Sequence, residues 1–279
     1  MAELPSVADA QEIRRLIIEM LTVAGSGHAG GSLGLADVFA VLYRSVLQHK
    51  SSQPLWSGRD RVVLSNGHTC PVLYATLAVH GYFPEKELWK LRKLEGELQG
   101  HPHEKPEWGI ETTSGPLGQG LSQAVGMALA ARYLRQKHHV FAITSDGEHQ
   151  EGQTWEAYLM GAKHRLENLT VIIDRNFIQI TGVTETIMPL ESLADKCRSF
   201  GWTVYEVNGH DHEALHDALM SARADGEPSV IVAYTEPGRG VDFMEGKFSW
   251  HGSAPNDEEA VRALRALNSL DGELETEYD

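Results

Sequence analysis

Two oxygen-bearing side chains follow apolar runs at a spacing that could bring them together. Asp146 lies in Ser145-Asp146-Gly147-Glu148 and Asn176 in Arg175-Asn176-Phe177-Ile178, 30 positions later. One strand–helix–strand crossover has about that length, so it returns Asn176 to the sheet edge beside Asp146. A carboxylate and a side-chain amide facing one point suit Mg²⁺ or Ca²⁺, with phosphate oxygens, a backbone carbonyl and water completing the shell. Gly147 lets the backbone approach a phosphate and offers it an N–H. An Asp-Gly pair alone is also an ordinary surface turn, as Asp271-Gly272 in the acidic tail illustrates. As a metal ligand, too, Asp146 is expected in an exposed turn rather than a core, so that its replacement weakens ligand binding while the fold survives. Histidine is the second chemical resource, with 14 in a chain of only 24 Lys and Arg. It moves protons near neutral pH with little adjustment of its pKa. Several histidines stand in Gly-rich segments: His28 in Gly27-His28-Ala29-Gly30-Gly31, His68 in Ser65-Asn66-Gly67-His68, His101 in Gly100-His101-Pro102 and His251 in Trp250-His251-Gly252. His80, His138, His139, His164, His212 and His216 belong to no such pattern and are given no chemistry.

Apolar runs at Arg61–Ser65, His139–Thr144, Leu169–Asp174, Thr203–Val207 and Val230–Tyr234 read as buried strands. Helical patterns cover 8–24, 34–48, 71–81, 117–137, 152–166, 190–200, 211–224 and 257–269. The alternation predicts an α/β fold, a mostly parallel sheet with helices on both faces. Ligands of such sheets bind beyond the carboxyl ends of the strands, which is where Asp146 and Asn176 fall. Residues 1–270 are expected to form one domain and 271–279 an acidic, solvated tail. Thr112–Gly120 leads into an Ala- and Gly-rich helix, where Gly115, Gly118 and Gly120 would pack tightly and admit a flat ring. Gly27–Ser32 lacks the Gly-Lys-Ser/Thr ending and follows a helix, so it is not a phosphate loop.

The 279 residues carry 39 Asp and Glu against 24 Lys and Arg, a formal charge of 24 − 39 = −15. That balance argues against nucleic acid and anionic membranes as partners. No apolar run predicts a membrane helix, and the first residues do not resemble a secretory leader. Two distant cysteines form no disulfide framework or zinc motif, and a cytoplasmic location is expected.

Asp146-Gly147 followed by Asn176 resembles the thiamine-diphosphate motif. The histidine segments and Thr112-Thr113-Ser114-Gly115-Pro116-Leu117-Gly118-Gln119-Gly120 occur in the order found in the transketolase family. The resemblance runs from about residue 8 to 270 and covers only that family's first domain, the diphosphate-type domain of the thiamine-diphosphate-binding fold. It implies that Asp146, Asn176 and the Ile178 carbonyl hold Mg²⁺, with Ca²⁺ or Mn²⁺ as substitutes. It places Gly147, His68 and His251 on the diphosphate, with Asn176 shared between cofactor and metal. Gly115 would approach the aminopyrimidine, with Leu117 and Ile180 packing on the cofactor. His28, His101 and His251 would act on the substrate side, and Glu151 at a subunit interface near the cofactor. Ser145 replaces the motif's first Gly, which a negative φ would accommodate. Ala29 and Ser32 replace common prolines and are expected to loosen the loop carrying His28.

The family's second domain, which carries the glutamate that activates the cofactor, has no counterpart here. The resemblance therefore implies the N-terminal subunit of a split, two-gene transketolase, rather than a piece of a longer chain. It would transfer a two-carbon ketol (glycolaldehyde) unit from a ketose or ketose phosphate to an aldose. It would act only with a C-terminal partner subunit, two copies of each chain assembling. A deoxyxylulose-phosphate-synthase-like or pyruvate-using subunit is the alternative enzyme, against which His28 and His101 favour a hydroxylated donor. A non-catalytic cofactor-binding protein is the alternative class, against which the full set Asp146, Asn176, His68 and His251 speaks.

Overall fold

The computed structural model describes residues 4–269; the acidic tail lies outside them. Five parallel strands form the main sheet: β1 (Arg61–Leu64), β2 (Val140–Ser145), β3 (Leu169–Arg175), β6 (Thr203–Asn208) and β7 (Ser229–Tyr234), in the order β1-β2-β3-β7-β6. A small antiparallel hairpin, β4 (Ile178–Gln179) and β5 (Gly182–Val183), follows β3. The helices are α1 (Pro5–Ala24), α2 (Ala29–Gly34), α3 (Ala36–Val41), α4 (Cys70–Val79), α5 (Gln119–Tyr133), α6 (Gly152–Lys163), α7 (Thr184–Ile187), α8 (Leu193–Ser199), α9 (His212–Ala224) and α10 (Asp257–Ser269).

Strand side chains alternate between two cores. Phe141, Ile143, Ile172, Ile231 and Ala233 face the cluster that contains residues of α1, α3, α4, α9 and α10. Val140, Ala142, Val171, Ile173, Val230 and Val232 face that of α5, α6 and α8. A strand buried on both faces is apolar at most of its positions, which is why β2, β3 and β7 read as nearly continuous runs. Each Val, Ile or Phe among them contributes about 1.5–3 kcal/mol by burial. Across the first core, Arg14 of α1 grips Asp37 of α3 through two bonds of 3.0 and 2.6 Å, and His210 and His212 reach the same carboxylate.

The register prepares the site. Ser145 pairs with Asp174, so Asp146 and the Arg175–Asn176 pair leave adjacent strands at one level. The segment 34–48 is not one helix. The chain is already helical from Ala29, is interrupted at Leu35, and widens into a π-helical turn over Leu42–Val46.

Candidate functional site

Asp146 caps a 3-10 turn, Gly147–Gln150, and its Oδ1 accepts from the Gly147 N–H at 2.7 Å. Its Oδ2 accepts from the N–H of Phe177 at 2.9 Å, which docks the loop after β3 onto the end of β2. Asn176 donates to Asp174 Oδ2 at 2.7 Å, and its Oδ1 accepts from the Ile178 N–H at 2.9 Å. The crossover thus brings Asp146 and the Asn176–Ile178 loop together. The exposed-turn reading of Asp146 is overturned: the residue is 1% exposed. Asp-Gly turns are usually wet, but here Arg175 donates to Oδ2 at 2.9 Å and Thr184 Oγ1 lies 3.3 Å from it. Burial still raises the Asp146 pKa against these donors. Ser145 is extended within β2, a conformation any residue accepts.

Four histidines converge from four separate segments. His28 precedes α2, His68 lies in the turn Gly67–Thr69, His101 in an irregular loop, and His251 after the turn Phe248–Trp250. The His28 ring centroid is 5.3 Å from that of His68, 6.2 Å from His101 and 5.8 Å from His251, and His68 is 5.2 Å from His251. The approach depends on Gly30, where an added Cβ would stand 3.1 Å from the Trp250 carbonyl oxygen. Burial, then His251, Arg92 and His101, pushes His28 down to about 4; burial, then His251, His28 and His101, pushes His68 to about 3. Burial lowers His101 and His251 as well, helped at His101 by Arg92. The cluster is therefore neutral near pH 7, able to accept as well as donate hydrogen bonds. The loop carrying His28 is not loosened by Ala29 and Ser32. Both are buried in α2, and Ser32 Oγ donates to the His28 carbonyl at 2.7 Å.

The Thr112–Gly120 segment needs correction. Gly118 has φ +79°, and an added Cβ at Gly120 would meet Ser65 at 2.5 Å, so both are required by the protein's own packing. At Gly115 a Cβ would make only ordinary contacts with the His101 ring, at 3.8 Å, so Gly115 alone keeps space open. Leu117 is 36% exposed and Ile180 75%, apolar side chains standing in the open. Glu151 is exposed at the N-terminus of α6, beside Gly118.

Sequence reasoning passed over several residues. Glu148, fully buried, accepts from the Ser65 hydroxyl, the Gly118 N–H at 2.8 Å and the Ser145 N–H at 2.9 Å, stapling the ends of β1 and β2 to the start of α5; burial raises its pKa. Asp174 orients Asn176 and accepts from Thr235 Oγ1; burial, with the Asp146 charge beside it, pushes it up to about 7. Charged residues ending a buried strand, Asp174 and Arg175, were the available signal. Buried polar atoms without a partner gather here: His28 Nδ1, both amide atoms of Asn66, Ser114 Oγ and Gln179 Oε1. Ser114 Oγ would stand 2.6 Å from a Cβ on Gly67, next to His68, and Gln179 packs on Gly147. Such groups are costly unless something bonds them, so the residues present fit a polar ligand lying between the histidines and the Asp146 loop. No group of three or more His, Cys, Asp or Glu among the described residues could hold a metal. A cation here would depend on amide, carbonyl and phosphate oxygens besides Asp146.

The parallel sheet with this loop at its carboxyl edge defines a thiamine-diphosphate-binding α/β fold. Residues 6–274 match the family model described as transketolase, thiamine diphosphate binding domain. The 6-deoxy-6-sulfo-D-fructose transketolase subunit of Clostridium sp. (strain MSTE9) is 42% identical over 259 residues, covering 92% of this chain and 94% of its own. An apulose-4-phosphate transketolase subunit of Phocaeicola vulgatus is 36% identical over 270 residues, covering 96% and 95%. The crystal structure of transketolase from Campylobacter jejuni superposes with a TM-score of 0.88 at 32% identity, covering 95% of this chain but 43% of that one. The chain belongs to the transketolase family, as its N-terminal, thiamine-diphosphate-binding part, and is an enzyme chain of the transferase class. No helix among the described residues is long and apolar enough to cross a membrane.

Proposed function

We propose that this chain is the diphosphate-binding subunit of a two-polypeptide transketolase that moves a ketol unit from a ketose to an aldose. The observation that carries the reading is the nearly end-to-end match to two proteins named as transketolase subunits. Their names refer to a sulfonated and a phosphorylated sugar, so the donor class proposed is a ketose with an anionic terminal group. A companion subunit carrying the remaining half of the site follows from the same names. Two copies of each chain would assemble.

Asp146, Asn176 and the Ile178 carbonyl would hold Mg²⁺, and Gly147, His68 and His251 the diphosphate. Bound there, thiamine diphosphate supplies the nucleophilic carbon and the electron sink that carbon–carbon cleavage requires. Gly115 keeps the backbone open to its ring, while Leu117 and Ile180 offer apolar surface. His28 and His101, neutral at pH 7, accept hydrogen bonds from donor hydroxyls and hold or return a proton at a ring nitrogen. Their depressed basicity keeps them from repelling one another as cations. Glu151 faces the companion.

The test is ketol transfer from ketose phosphates and sulfonated ketoses, with thiamine diphosphate and Mg²⁺. It is measured for this chain alone and after adding a companion chain that supplies the other half of the site. Activity is expected only in the mixture. Full transfer by this chain alone would overturn the two-chain reading.

A further inference from the structure

Arg175 has a side chain 1% exposed and a place the transfer chemistry does not use. Its Nη1 donates to Asp146 Oδ2 at 2.9 Å, and its Nη2 to Glu185 Oε1 at 2.5 Å and Glu191 Oε1 at 2.7 Å. Its guanidinium lies 3.9 Å from the centre of the Phe177 ring. Glu185 in turn accepts from the N–H groups of Leu190 at 3.1 Å and Glu191 at 3.3 Å. The same segment returns to the site through Thr184, whose N–H donates to the Phe177 carbonyl at 2.8 Å, and through Met188, whose carbonyl accepts from Gln150 at 2.9 Å.

The two oxygens of Asp146 are consequently unlike. Oδ2 is taken up by Arg175, Phe177 and Thr184, whereas Oδ1 has only the Gly147 N–H. A buried carboxylate with no counter-charge is strongly unfavourable. We propose that Arg175 is a positioning residue, an internal counter-cation that balances and aims Asp146 before any metal arrives and pins segment 184–191 against the metal loop. A metal bound here would share the carboxylate with the guanidinium. The inference rests on the reading of Asp146 as a metal ligand.

The test compares the full chain with Arg175→Met and Arg175→Lys by amide hydrogen exchange without metal, and by the thermal shift that MgCl₂ gives over NaCl of equal ionic strength, both with inorganic pyrophosphate present. Arg175→Met should speed exchange across 184–191 by about tenfold or more. It should also show a larger Mg²⁺-induced rise in Tm than wild type, because the cation now supplies the missing charge. A purely structural arginine would lower Tm without enlarging that rise. Arg175→Lys should restore the wild-type Mg²⁺ response yet leave 184–191 fast, since one ammonium cannot reproduce the three-carboxylate fork. Unchanged exchange, or an unchanged Mg²⁺ shift in Arg175→Met, overturns the proposal; if that variant does not fold, unchanged exchange in Arg175→Lys does so. Failure of wild type to bind thiamine diphosphate with Mg²⁺ would instead remove the metal reading, and the exchange arm would still decide the clamp.

Discussion

Asp146 shows how a single side chain can be placed by sequence and mistaken in character. Its partnership with the Asn176 loop was legible from the crossover length. Its burial was not, because the donors that bury it, Arg175 and Thr184, come from 29 and 38 positions away. Asp146→Ala should therefore abolish Mg²⁺-dependent cofactor binding and also destabilise the fold, by about 1–3 kcal/mol, because the N–H groups of Gly147 and Phe177 lose their acceptor while Arg175 keeps Glu185 and Glu191. Denaturant unfolding of the metal-free chain measures this; an unchanged midpoint contradicts it. The histidines make a pH prediction. His68 falls from 6.5 to about 3 in the folded chain. Its neutral form stabilises the fold fully above pH 6.5, and that contribution is lost as pH falls toward 3. The stability difference between wild type and His68→Gln should shrink on acidification, by at most about 1.4 kcal/mol per pH unit. Asp174, raised to about 7, has the opposite trend, its penalty growing as pH rises from 3.8, but it is present in both proteins and cancels. A difference independent of pH would contradict the half-buried, neutral cluster.

At the level of elements, β1, β2, β3 and β7 were readable because burial on both faces makes most of their positions apolar, and β6, half-buried with Glu206 and Asn208 exposed, through its β-branched and aromatic residues. The hairpin β4–β5 and helix α7 were not readable. Their segments are too short for a period to register, and they are held by bonds to Asp146, Phe177 and Gln150 rather than by a core. The glycines at the start of α5 were legible as a group but not by role. Gly120→Ala should cost about 1–3 kcal/mol through overpacking against Ser65. Gly115→Ala should leave stability within about 0.5 kcal/mol yet weaken thiamine diphosphate binding by about tenfold or more, about 1.4 kcal/mol. Thermal melts and calorimetry on the same two variants separate the cases. Equal effects of both on cofactor affinity would contradict the assignment of open space to Gly115 alone.

For the whole molecule, the histidines, the orphaned polar atoms and the Asp146 loop form one wall of a site, rimmed by exposed Leu117, Ile180, Ile187 and Met188. Apolar surface of this kind beside a polar cavity suits a partner. The order of motifs made the family legible, whereas the pairing of Asp146 with Arg175 needed the folded chain. If this chain holds the diphosphate and metal half, it must recognise the phosphate end of the cofactor without its companion. The direct measurement is calorimetric titration of the isolated chain with thiamine diphosphate and with thiamine, each with Mg²⁺ and with EDTA. The account predicts measurable binding of thiamine diphosphate with Mg²⁺ only, absent for thiamine and abolished in Asp146→Ala. Equal affinity for thiamine and thiamine diphosphate, or binding indifferent to Mg²⁺, would contradict it.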